Sequence, residues 1–134
     1  MAEALARQML ARGSAGRAIE VFSAGLAAAP GTPASSAAVE ALAELGIDLK
    51  KHRASRLTVE MAGRADLVLT MTGVQKEQVR KMVPGARVLT LAEYAGQGTD
   101  ISDPVGQPLV VYRRCAAQLK EMVAAALRRL AREM

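Results

Sequence analysis

The chain reads as an α/β domain in which parallel strands are joined by helical crossovers. Three observations predict this class. Strand-length apolar runs at Asp66–Thr72 and Arg87–Leu91 alternate with segments of helical period. The apolar residues, 51% of the chain, are mostly Ala, Leu and Val, with two Tyr, one Phe and no Trp, a composition that favours close helix packing over a β-sandwich. The 134 residues suffice for one core and are too few for two, so a single domain over residues 1–134 is expected.

The elements follow in order. Residues 1–12 are strong helix formers stopped by Gly13, with Leu5 and Met9 on an apolar stripe flanked by Ala6 and Leu10. Arg17–Ser23 alternates loosely through Ile19, Val21 and Phe22 and predicts a strand. Pro30, Gly31 and Pro33 break the chain, and Thr32 or Ser35 caps a helix that carries Val39, Leu42 and Ala43 and ends at Gly46. After a basic connector, Lys50–Arg56, Thr58 caps a short helix through Ala65. Asp66–Thr72 is a continuous apolar run, the pattern of a strand covered on both faces. A helix from about Val74 to Val83 is stopped by Pro84-Gly85, and Arg87–Leu91 forms another strand. Ala92–Pro108 is expected to be a polar loop. The last helix carries Cys115, Leu119, Met122, Val123, Ala126, Leu127 and Leu130 at helical spacing.

Several function classes are disfavoured. No apolar run approaches the roughly 20 residues that span a bilayer, and no signal-peptide pattern is evident, so no membrane association and a cytoplasmic location are expected. One cysteine, Cys115, permits neither an internal disulfide nor a multi-cysteine zinc site. It lies within the apolar stripe of the last helix and reads as a buried structural thiol. The formal charge of +5 is concentrated between Arg113 and Met134, where six basic residues face two acidic ones. That distribution reads as the solvated face of an amphipathic helix, and without interleaved aromatics no nucleic-acid partner is expected.

A family resemblance is carried by seven ordered pieces. Met1-Ala-Glu-Ala-Leu5, Ser23-Ala-Gly25, Val39-Glu-Ala-Leu42, Gly46-Ile-Asp-Leu49, His52-Arg-Ala-Ser-Arg-Leu-Thr58, Ala65-Asp-Leu-Val-Leu-Thr-Met-Thr72 and Asp103-Pro-Val-Gly106 occur in that sequence. In this order and spacing the chain resembles the low-molecular-weight protein-tyrosine phosphatases. Val88–Leu91, Glu93-Tyr94, Asp103-Pro104 and Tyr112 are most similar to the bacterial protein-arginine phosphatase branch. The resemblance implies a three-layer open parallel sheet of order 2-1-3-4. It also implies a first strand and a loop of the form C-x-x-x-x-x-R-S-P ahead of Met1, on the order of 15 residues that these 134 do not contain.

By resemblance, Asp103 is the general acid and base, and Pro104 stiffens the backbone behind it; taken alone, Asp-Pro signals only a turn. Ser23 and His52 are implied to support a loop asparagine that shapes the phosphate site. Substrate-contacting residues stay unassigned, and no metal or cofactor is called for. The family's chemistry also needs a low-pKa thiolate and an arginine, and Cys115 has neither the loop nor the arginine. The expected partner is therefore a phosphorylated protein, acted on only with the loop restored, and the chain by itself is expected to be an inactive, truncated phosphatase. The alternatives are a non-catalytic pseudophosphatase or binding module, and an arsenate reductase relative, which would need further cysteines. Val105-Gly106 and Leu26–Ala29 stand where tyrosine-specific members commonly have aromatics, which fits phosphoarginine better than phosphotyrosine. Without its central strand the chain is expected to be poorly stable, to re-pair its strands, or to self-associate through unpaired strands.

Overall fold

The computed structural model describes residues 1–12 and 19–134. Among these, the elements are α1 (Ala2–Arg12), α2 (Ser36–Ala43), α3 (Val59–Arg64), β1 (Val68–Thr70), α4 (Gly73–Met82), β2 (Val88–Thr90), α5 (Leu91–Ala95) and α6 (Leu109–Glu133). The helix starts are set by hydroxyl caps. The Ser35, Thr58 and Thr72 side chains accept from the N–H groups of Ala38, Met61 and Gln75, satisfying donors that the first turn leaves unpaired.

β1 and β2 pair in parallel, with Val68 opposite Val88 and Leu69 opposite Leu89. Because side chains alternate along a strand, Val68 and Val88 point to one face and Leu69 and Leu89 to the other. The first face meets a small cluster of Ala62 from α3, Val79 from α4, and Leu26 and Leu57. The second meets the main core, where Leu5, Leu42, Leu91, Tyr94, Leu119, Met122 and Val123 are buried. The result is three layers, with α3 and α4 on one side of the sheet and α1, α2, α5 and α6 on the other. The 25-residue α6 is the spine of the thicker layer and packs against α1, α2 and α5.

Three expectations are corrected. Arg17 and Ala18 lie outside the described residues, and Ile19–Ser23 joins no strand. A parallel ladder needs an adjacent strand, and β1 pairs only with β2 among the described residues. Side chains of α1 hold the segment instead: Arg7 Nη2 donates to the Val21 carbonyl at 2.6 Å, and Ser23 Oγ to Glu3 Oε1 at 2.6 Å. Second, the start of the supposed loop at Ala92 is helical. Thr90 and Glu93 form a reciprocal capping box for α5, which Gly96 ends in the left-handed conformation at φ 70°. Third, the second helix stops at Ala43, three residues short of Gly46, whose φ of 78° closes the turn that follows.

Candidate active site

Of the sequence-predicted site residues, Ser23 and Asp103 lie near the start of α1, and His52 stands on a connector whose far end is bonded to Gly25. Ser23 reaches α1 through Glu3, in the first turn of that helix. Glu3 accepts the Ser23 hydroxyl on one carboxylate oxygen, and its other oxygen pairs with Arg7 Nε at 2.9 Å. With the Arg7 contact to Val21, these bonds fasten the Ile19–Gly25 segment along one side of the helix. Ser23 thus has a partner within the chain, and it is a carboxylate.

The connector carrying His52 is tied to the same segment through backbone. Gly25 N–H donates to Ser55 C=O at 2.8 Å, and Leu57 N–H to Gly25 C=O at 3.0 Å. Further along, Gly31 N–H donates to Ala54 C=O and Ala54 N–H to Thr32 C=O. His52 itself is half-buried. Its backbone N–H donates to Leu49 C=O, and its own carbonyl accepts from the Arg53 guanidinium at 2.8 Å. Among the described residues its ring makes no hydrogen bond: the connector is joined to the Gly25 segment through Ser55 and Leu57, and no bond links the His52 and Ser23 side chains.

Asp103 stands exposed between two buried anchors, Ile101 and Pro104. Its carboxylate accepts the Val105 N–H at 3.1 Å, and Gln107 N–H donates to Pro104 C=O at 2.9 Å, a tight turn with Gly106 at φ 78°. Pro104, directly after Asp103, is buried and anchors this turn to the interior.

Electrostatics place the start of α1, Asp103 and Cys115 in one neighbourhood. Burial pushes the Met1 α-amino group below its ordinary value, while Cys115, Glu3 and Asp103 pull it the other way. Burial pushes the Cys115 thiol up, which suits an apolar core position on α6 and not a nucleophile. Among the described residues no group of three or more His, Cys, Asp or Glu side chains is placed to hold a metal ion.

Two side chains that hold these segments were not found from the sequence. Glu3 was legible as an acidic residue near a helix start, not as the partner of a serine twenty positions away. Asp100 carried no local signal at all. It accepts the Gly73 N–H on both carboxylate oxygens, at 3.1 and 3.2 Å, across 27 residues. Beside this contact lies an open groove of about 970 Å³ bordered by Gly73, Lys76, Thr90, Glu93, Gln97 and Asp100. Lys76 is already paired with Glu93 at 2.9 Å, and the groove contains none of Ser23, His52 and Asp103.

Residues 1–134 match the model of the low molecular weight phosphotyrosine protein phosphatases over their whole length. The chain belongs to that family. A protein-arginine-phosphatase of Bacillus subtilis is 39% identical over 137 residues, which cover 100% of this chain and 87% of that protein. A probable low molecular weight protein-tyrosine-phosphatase, EpsP, of Ralstonia nicotianae is 37% identical over 125 residues, 92% of this chain and 81% of the relative. A solved structure of the arginine phosphatase YwlE, a cysteine-to-serine mutant with a phosphorylated active-site serine, superposes with a TM-score of 0.87 at 35% identity. It covers 97% of this chain and 86% of that one. This is a low molecular weight protein phosphatase domain by family, with phosphorylated proteins as the substrate class. No helix among the described residues is long and apolar enough to cross a membrane.

Proposed function

We propose that this domain takes part in phosphoprotein hydrolysis through a phosphocysteine intermediate, with Asp103 as its acid and base. The observation that carries the reading is the presentation of Asp103, exposed between the buried Ile101 and Pro104 on a turn closed by its bond to Val105 N–H. In the family's route a thiolate attacks phosphorus, the bond from phosphorus to the leaving atom breaks, and the acid's proton passes to that atom. Water then attacks the phosphocysteine, gives its proton to the carboxylate, and frees phosphate and thiolate. The phosphorylated serine in the cysteine-to-serine YwlE structure supports a residue at that position as the phosphate acceptor.

These 134 residues contain Cys115 alone, buried in α6, and no cysteine followed by a phosphate loop and arginine. We therefore propose that the 134-residue chain does not turn over phosphomonoesters, and that the first helix needs a Cys-x-x-x-x-x-Arg-Ser-Pro loop joined to it. We assign Ser23 and His52 as supports for such a loop. Ser23 holds the first turn of α1 through Glu3, and His52 stands on the connector bonded to the Ser23 segment. For the substrate we favour phosphoarginine. Tyr94 and Tyr112 are buried, and Val105, directly after Asp-Pro, is exposed and offers no ring to stack on a phenyl group.

The test joins the strand and loop of the Bacillus subtilis relative ahead of Met1 and compares phosphoarginine with phosphotyrosine peptides, the 134-residue chain serving as control. Hydrolysis by the extended chain alone, faster on phosphoarginine, is expected. Turnover by the control that is lost in Cys115→Ser would overthrow the reading of Cys115 as structural.

A further inference from the structure

We infer that Asp100 is the positioning residue that sets where Asp103 stands; the inference rests on the reading of Asp103 as the acid. The loop before Asp103 is fastened to the turn between β1 and α4 at two consecutive residues. Asp100 takes the Gly73 N–H on both carboxylate oxygens, and Ile101 N–H donates to Met71 C=O at 2.9 Å. Gly73 is the first residue of α4, so Asp100 also places a negative charge at the positive end of a ten-residue helix.

That helix start is a rigid reference. Thr72 caps it by accepting from Gln75 N–H at 3.2 Å. Gln75 Oε1 reaches back to the N–H groups of both Met71 and Thr72. The Thr70 hydroxyl donates to Thr72 C=O at 2.9 Å. The Met71 and Thr72 N–H groups and the Thr72 C=O are thus held by Gln75 and Thr70, and Asp100 is the side chain that couples the acid loop to this turn. Beyond the tether, Ile101 is 4% exposed, Ser102 and Asp103 stand out, and Pro104 returns to the interior. Two residues separate the first anchor from the second. Asp103 therefore keeps its place only while both anchors hold, and its own bond to Val105 reaches just two residues along the same loop.

An exposed carboxylate that merely capped α4 would matter to α4 alone. A tether matters to residues 101–105, and the two roles separate in the 134-residue chain by amide hydrogen exchange and ¹⁵N relaxation. In Asp100→Ala the Ile101 and Val105 amides are expected to exchange about tenfold faster, the loss of one charge-assisted hydrogen bond. The heteronuclear NOE of Ser102 and Asp103 is expected to fall while Val88–Tyr94 is unchanged. Asp100→Asn keeps an acceptor oxygen toward Gly73 and is expected to restore both amides to within about twofold. Unchanged Ile101 and Val105 exchange in Asp100→Ala, with only the Gly73 and Val74 amides affected, would overturn the tether and leave Asp100 a helix cap. Because the readout is loop order, this outcome is independent of whether Asp103 proves to be the acid in the loop-extended chain.

Discussion

Glu133, next to the end of the chain, gathers more partners than any surface acid should need. Arg87 binds it with two nitrogens at 3.1 Å, Arg129 stands at 3.4 Å, and the buried Tyr94 hydroxyl donates to it at 2.6 Å. Arg129 also lies 4.3 Å from the Tyr94 ring centroid, within cation–π range. The Arg87 and Tyr94 hydrogen bonds hold the Glu133 carboxyl at about 2, well below its ordinary 4.5. Bonds from Thr90 and Lys76 hold Glu93 at about 2 as well. The sign follows from linkage: a depressed carboxylate stabilises the fold above its unfolded pKa, and that contribution is lost as pH falls from about 4.5 towards 2. The melting temperature is expected to drop over that window, and Glu133→Gln to flatten part of the drop while lowering the plateau at pH 6. An identical pH profile in the variant would show that Glu133 does not carry the loss of stability at acid pH. None of this cluster was legible in the sequence, because Arg87 and Glu133 are 46 positions apart and their meeting depends on α6 packing against α5. The Asp103-Pro104 turn, by contrast, was legible from Asp-Pro, and the structure closes it with the Val105 N–H on the Asp103 carboxylate.

Among elements, α5 shows what sequence patterning can miss and why. Its five residues are too few to display a helical period, and the polar run after Ala95 draws the eye toward a loop. The available signal was the cap: Thr90 and Glu93 at the capping-box spacing, closed by Gly96. Thr90→Ala is expected to cost about 1 kcal/mol in urea unfolding, the usual worth of a hydroxyl cap. It should also increase exchange at Glu93 N–H, which the Thr90 hydroxyl accepts at 3.1 Å. A loss below the error of the fit would show that packing of Leu91 and Tyr94, not the cap, holds α5. The longer elements were readable because their apolar positions recur: seven residues of α6 from Tyr112 to Ala126 are buried on one stripe. The strand expected at Arg17–Ser23 had strand composition, but no described strand lies beside Ile19–Ser23 to pair with it.

The molecule as a whole is a three-layer phosphatase fold built around a narrow sheet. Val68 N–H donates to Arg87 C=O, so in a parallel ladder the polar groups of Leu69 point to the edge away from β2. Among the described residues nothing pairs along that edge. An unpaired edge flanked by apolar side chains is a template for another strand, so sedimentation of the 134-residue chain is expected to become concentration-dependent at tens of micromolar. A strictly monomeric species across that range, melting in one cooperative step, would show that the edge is covered. The family was legible in the sequence because its motifs sit where the chain turns around the site, and the sheet was less so because strand pairing is a long-range property.

We propose Asp103 as the acid of a protein phosphatase site. That role is tested most directly by kcat on a phosphoarginine peptide, measured for the loop-extended chain and for its Asp103→Asn variant. A fall of about 10²–10⁴-fold is expected, the usual worth of a positioned acid and base. An unchanged kcat in the variant would contradict it.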